Sequence, residues 1–175
     1  MCIRDSNYPY TAFYNYENIE INYDDIPEKY FLNHNMPSIL YNGMLNPLLN
    51  YSVKGIIWYQ GENNVNDPDE YRIIFAEMVN DLRTSYNSQI PFYFAQIANY
   101  FNYGGKLSSF RQMQLDLLQI KNTGMVVTLD IGENYDIHPS NKHDVGNRFA
   151  LLALNRTYGL NLIDSGPTVS GIDFD

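Results

Sequence analysis

The sequence is poor in cysteine, in basic residues and in long apolar runs, and each shortage closes off a class of protein. The single cysteine, Cys2, leaves no internal disulfide and no cysteine-based zinc cluster. Eleven Lys and Arg stand against twenty Asp and Glu, for a formal charge of -9, and the basic residues cluster nowhere. Neither a nucleic-acid partner nor an anionic membrane surface is expected of such a chain. No apolar run approaches the roughly 20 residues of a membrane-spanning helix, so no membrane span is expected either.

What is present is a chain of 175 residues, 45% hydrophobic, enough for one domain with a sizeable core. Sixteen Tyr, nine Phe and one Trp, with abundant Asn, suit contact with sugars, although composition alone decides nothing. Residues 1–6 (MCIRDS) fit neither strand nor helix and read as a non-native leader. Residues 7–164 read as one domain, and 165–175 (SGPTVSGIDFD) as the start of a following segment that stops on turn-forming residues. Both ends are therefore expected to be cut. No signal-peptide pattern opens the chain, which carries no weight if the natural start lies upstream.

Residues 7–36 are rich in Tyr, Asn, Asp and Glu, with Pro9 and Pro27 as breaks, and read as a loop-rich approach. Three short apolar, β-branched runs follow at 53–59 (VKGIIWY), 92–97 (FYFAQI) and 125–131 (MVVTLDI), as expected for buried strands. Helices are predicted between and after them. Over 69–86, Tyr71, Ile74, Phe75, Met78, Val79 and Leu82 recur at threes and fours, with Asp67 and Asp69 placed to cap and complement the dipole. Residues 108–120 repeat the pattern, and 142–158 form a third helix closed by Gly159. Alternating strands and helices predict an α/β domain with a parallel sheet.

Chemistry on such a sheet gathers beyond the C-terminal strand ends. The first predicted strand runs into Gln60-Gly61-Glu62-Asn63-Asn64, the third into Glu133-Asn134-Tyr135-Asp136-Ile137-His138-Pro139. A carboxylate accepting from one imidazole nitrogen fixes the tautomer and leaves the other as a general base, a pairing open to Asp136 and His138. Gln60 has a side-chain N–H, and Gly43 a backbone N–H, for a developing oxyanion. The bland alternatives stand beside these roles. Asp-x-His-Pro also serves as a loop tether, and Gln60 and Glu62 as polar residues closing a strand end. His34 and His143 read as solvated. A metal site from Asp136, His138 and His143 lacks the helical i, i+4 spacing of zinc hydrolases, and none is assigned.

Taken together, Leu40-Tyr41-Asn42-Gly43-Met44, Lys54 to Asn64 with Trp58-Tyr59-Gln60-Gly61-Glu62 at its centre, Arg111-Gln112, and Asp136-Ile137-His138-Pro139 followed by Lys142 and Val145-Gly146 are similar to the sialate O-acetylesterase family. The resemblance runs from about Met36 to Gly166. It implies an SGNH hydrolase: a three-layer α/β/α sandwich of flavodoxin-like type, here lacking its N-terminal part. It implies a Ser-His-Asp esterase that removes O-acetyl groups from sialic acid or related glycans, without metal or organic cofactor. His138 and Asp136 take the base and acid roles, Gly43 and Gln60 the oxyanion donors, and Gly61, Glu62 and Asn64 the substrate-facing set. Two departures accompany it. Asn63 stands where the family usually has Ser, and many SGNH enzymes space the Asp and His one residue further apart. A periplasmic or secreted location is implied by the same resemblance.

The family's nucleophilic serine is expected upstream, on an apolar strand ending in a Gly- and Ser-rich turn. Ser6 follows Asp5 but has no strand before it, while Ser38 and Ser52 read as caps or turns. The chain alone is therefore expected to be poorly soluble and without serine-dependent activity. Two rivals remain: a related hydrolase, such as an acetylxylan or phospholipid esterase, and a glycan-binding module without catalysis.

Overall fold

The computed structural model of the protein describes residues 40–167. The leader, the loop-rich approach, His34, Ser6, Ser38 and most of the 165–175 tail lie outside the described residues. Six main elements alternate: β1 (Ile56–Trp58), α1 (Pro68–Ser85), β2 (Phe92–Ala95), α2 (Lys106–Asp116), β3 (Thr123–Val126) and α3 (Lys142–Arg156). Both strand pairs are parallel, in the order β1-β2-β3.

Alternation along β2 separates the two faces of the sheet. Phe92 and Phe94 join Tyr71, Phe75, Met78 and Val79 of α1 and Phe110 and Met113 of α2 in one cluster. Tyr93 and Ala95 join Val145, Phe149 and Leu152 of α3 in the other. The sheet thus lies between α1 and α2 on one side and α3 on the other, an α/β/α arrangement. Being covered on both faces, β2 is buried at all four positions. Phe75 meets Phe92 and Phe94 edge-on, with centroids 5.4 and 5.0 Å away. Burying one such ring contributes about 1.5–3 kcal/mol.

The helices follow the periodicity closely. The apolar stripe of α1 is buried as expected apart from Ile74, which is half-buried, and Asp67 Oδ1 accepts from Glu70 N at 3.2 Å as its N-cap. Helix α2 begins two residues early and finishes in a 3-10 turn, Leu117–Gln119. Gly159, at φ 73°, ends α3: its N–H reaches Asn155 O at 3.2 Å, and Leu160 N reaches Leu154 O at 2.9 Å.

The strands are shorter than their apolar runs, for identifiable reasons. Gln114, on α2, ends the β2 ladder. Its Oε1 accepts from Ile97 N at 2.9 Å and its Nε2 donates to Ala95 O at 3.2 Å. The third strand begins at Thr123 rather than Met125 and stops at Val126 rather than Ile131. Gly124 allows the early start, because a Cβ there would press on Leu152 and Tyr93 at 3.0 Å. The Thr128 hydroxyl then donates to Gln96 O, and Val127 and Leu129 turn outward. Among the described residues no helix is long and apolar enough to cross a membrane.

Candidate active site

Beyond the C-terminal end of β1 the chain turns sharply. Gly61 adopts φ 146°, and a Cβ there would stand 3.1 Å from Phe110 Cζ and 3.3 Å from Ile97 Cγ2, so glycine is required twice over. Tyr71 anchors the turn from below by donating its hydroxyl to Gln60 O at 2.9 Å. Burial pushes that phenol well above its ordinary pKa, which keeps it a donor. Gln60 is buried, with Nε2 donating to Asn64 Oδ1 at 3.1 Å. Its carboxamide carries a second N–H beyond that bond. Gly61 N donates to Glu62 Oε2 at 2.9 Å, so Glu62 closes its own turn.

The loops leaving β2 and β3 are sewn together. Arg111 donates from Nε to Ile97 O at 3.1 Å and from Nη2 to Asn99 Oδ1 at 2.7 Å. Asn99 Nδ2 in turn donates to Leu129 O at 2.7 Å, and Phe101 N to Asn134 O at 2.8 Å. Gly132 lies so close to Asn99 that a Cβ would overlap its backbone nitrogen. The sequence marks Arg111 only as part of the Arg111-Gln112 pair. Its work in tying α2 to the loop that leaves β2 was hidden, because only the fold brings Ile97 O and Asn99 Oδ1 to it.

The Asp136–His138 segment is exposed, with 58% and 59% of the two side chains accessible. Asp136 Oδ1 accepts from the backbone N–H of His138 at 2.8 Å, while the imidazole Nδ1 stands 4.0 Å from the same oxygen. The first contact is an Asx-turn, the loop-tethering role of the Asp-x-His spacing. The second is beyond hydrogen-bond range. Catalytic hydrogen bonds are often long in unliganded sites and tighten with substrate. Pro139 is buried behind the histidine, and Asn141 caps α3 by accepting from Asp144 N at 3.1 Å.

A bidentate pair fastens the start of the same loop to α3. Arg148 donates to Asp130 Oδ1 at 2.7 Å and to Oδ2 at 2.6 Å, and the guanidinium draws the carboxyl down from 3.8 to about 2. A carboxyl depressed in the fold stabilises it fully above the unfolded value and ceases to do so as pH falls through the folded one. Asp130→Asn is therefore expected to flatten the loss of stability between pH 3.8 and about 2, read from urea midpoints across that interval. An unchanged acid dependence would show that the pair contributes nothing.

Gln60 and the 127–138 loop both follow the C-terminal ends of parallel strands, at one edge of the sheet. Tyr59 belongs to the α3-side cluster, and Lys142 Nζ lies 4.9 Å over its ring, which links the two loops' surroundings. Gly43 precedes β1 in the chain. It sits exposed in a π-helical turn, Tyr41–Leu45, and the Tyr41 hydroxyl meets Ser85 Oγ at 3.4 Å. Ser85 is the last residue of α1, a helix about 27 Å long at 1.5 Å per residue, whose first turn lies beside the Gln60 loop. Among the described residues no serine hydrogen-bonds the His138 ring, and Ser52 is exposed. His143 is solvated, with Nδ1 near Asn147 Nδ2 at 3.1 Å. No group of three or more His, Cys, Asp or Glu among the described residues is arranged to hold a metal ion.

Comparison with known proteins places this arrangement in a family. A family model for carbohydrate esterases, the sialic acid-specific acetylesterases, matches residues 31–155. The mouse sialate O-acetylesterase is 33% identical over 159 residues, covering 78% of this chain and 29% of its own length. The human sialate O-acetylesterase is 30% identical over 159 residues, covering 78% and 30%. A crystal structure of a carbohydrate acetylesterase from Xanthomonas citri superposes with a TM-score of 0.72 at 41% identity, covering 77% of this chain and 33% of that one. The chain thus spans about a third or less of the length of these relatives. With more than half of its residues inside the matched region, the chain belongs to the carbohydrate esterase family of sialic acid-specific acetylesterases.

Proposed function

We propose that the protein is a serine-type carbohydrate acetylesterase of SGNH, flavodoxin-like fold, acting on O-acetylated sialic acid or related glycans. The observation that carries the reading is the sharing of one sheet edge by an amide donor, Gln60, and an acid–base pair, Asp136 and His138, with 4.0 Å between carboxylate and imidazole. Family membership supports it. No metal or organic cofactor enters the mechanism.

In that mechanism a serine outside the described residues attacks the acetyl carbonyl. His138 takes its proton through the nitrogen that does not face Asp136, and Asp136 holds the ring and stabilises the imidazolium. The free N–H of Gln60 receives the developing oxyanion, with Asn64 fixing the amide and Gly61 and Glu62 shaping the turn. His138 returns the proton to the departing sugar hydroxyl. Water, activated by the same imidazole, then releases acetate. The Gly43 N–H is the second oxyanion donor that the resemblance implies.

Replacing Gln60 by alanine in the native protein is expected to lower kcat by about 10²-fold with a smaller change in KM, the usual loss for one oxyanion donor. Steady-state acetate release measures it, and a kcat within twofold of the parent would remove Gln60 from the mechanism. A second reading, an acetylesterase of other acetylated carbohydrates, is supported by the likeness to the Xanthomonas citri carbohydrate acetylesterase at 41% identity. Parallel assays on O-acetylated sialic acid and acetylated xylan separate the two readings.

A further inference from the structure

We propose that Glu133 is a positioning residue that sets the reach of His138 by closing the loop on which the histidine stands. The inference rests on the reading of His138 as the general base. The loop has two fixed ends. Its start is held against the β2 exit, through the close approach of Gly132 to Asn99 and the bond from Phe101 N to Asn134 O at 2.8 Å. Its end is held by Asn141, the N-cap of α3. Glu133 ties one end to the other: its Oε1 accepts from Ser140 N at 2.7 Å and from Ser140 Oγ at 2.6 Å.

Two charge-assisted bonds on one carboxylate oxygen make a firm closure for an otherwise exposed loop. They also hold the Glu133 carboxyl below its ordinary range, so the strong acceptor form is present at neutral pH. His138 stands two residues before Ser140, and among the described residues Asp136 approaches its ring at 4.0 Å. The backbone under the imidazole is therefore set by the Glu133–Ser140 span. Loss of that span displaces the base, and a displacement of about 1 Å at a reacting group can cost 10²-fold in rate.

Three substitutions separate reach from charge, assayed in the native protein with 4-nitrophenyl acetate. Glu133→Gln keeps the length and a carbonyl acceptor but loses the charge. Glu133→Asp keeps the charge but is one methylene too short, and Glu133→Ala removes both. Positioning predicts that Ala and Asp lower kcat by about 10- to 10²-fold at nearly constant KM, while Gln recovers to within about threefold of the parent. Thermal melts of each variant establish that it is folded, and the Gln and Asp pair decides the question if the Ala variant is not. Asp recovering activity while Gln does not would overturn the inference in favour of a charge effect. So would parental kcat in all three variants, provided His138→Ala is inactive. An active His138→Ala protein would instead remove the underlying reading of the base.

Discussion

In the native protein, His138→Ala is expected to reduce kcat for an acetyl ester by at least about 10³-fold, leaving only the residual catalysis of oxyanion binding and substrate positioning. The size follows from the assigned role. Without the imidazole, the attacking hydroxyl keeps its proton and the sugar leaves as an alkoxide, so both halves of the reaction are impaired. KM should change far less, because an exposed base contributes little to holding a sugar in the ground state. Asp136→Ala should fall short of this loss, since the base survives and only its orientation suffers. Its effect also has a second origin: Asp136 Oδ1 accepts the His138 backbone N–H at 2.8 Å, so the substitution loosens the turn as well. Steady-state rates for the two variants are the measurement, and equal losses would mean that the pair acts as one unit.

The largest effect on stability is expected at Phe110. Its side chain is fully buried, packs against the Tyr71 ring at a centroid distance of 5.1 Å, and lies under Gly61. Phe110→Ala should cost about 3–5 kcal/mol, as the lost transfer energy adds to a cavity that the surrounding sheet and helices cannot collapse. At roughly 2–4 °C per kcal/mol for a domain of this size, the melting temperature should fall by about 10 °C. Because Phe110 supports the Gly61 turn, and Tyr71 beside it anchors Gln60 O, the same variant should lose turnover before it loses fold. Phe110→Leu, which keeps most of the volume, should lose far less of either. A thermal melt unchanged by Phe110→Ala would mean that the turn beyond β1 is supported from elsewhere.

How far the sequence could be read depended on the range of the interaction. Helix α1 was legible almost residue by residue, because its burial depends on spacing within the helix and its cap on Asp67 and Glu70 three positions apart. The strands were legible as apolar runs but not in extent. What shortens β2 is Gln114, seventeen residues beyond Ile97, and what frees β3 to start early is the small volume of Gly124 against Leu152. The first condition stands on another helix, and the second shows only in the contact of Gly124 with α3. At the site, Asp136 and His138 could be paired from their spacing, yet that spacing serves an Asx-turn and a catalytic pair alike. The structure makes the turn and leaves the imidazole 4.0 Å away. Glu133 and Arg111 escaped notice as tethers because a loop glutamate and a helix-borne arginine are commonplace as residue types. Only the fold brings Ser140, Ile97 and Asn99 to them.

The most direct test of the esterase reading is covalent labelling of the native protein with a fluorophosphonate, which reacts with a serine only when a neighbouring base activates it. The account predicts stoichiometric labelling of one serine outside residues 40–167, together with its loss in His138→Ala and its retention in a control such as His143→Ala. Labelling that is indifferent to His138, or acetate release that proceeds with no labelled serine, would contradict it.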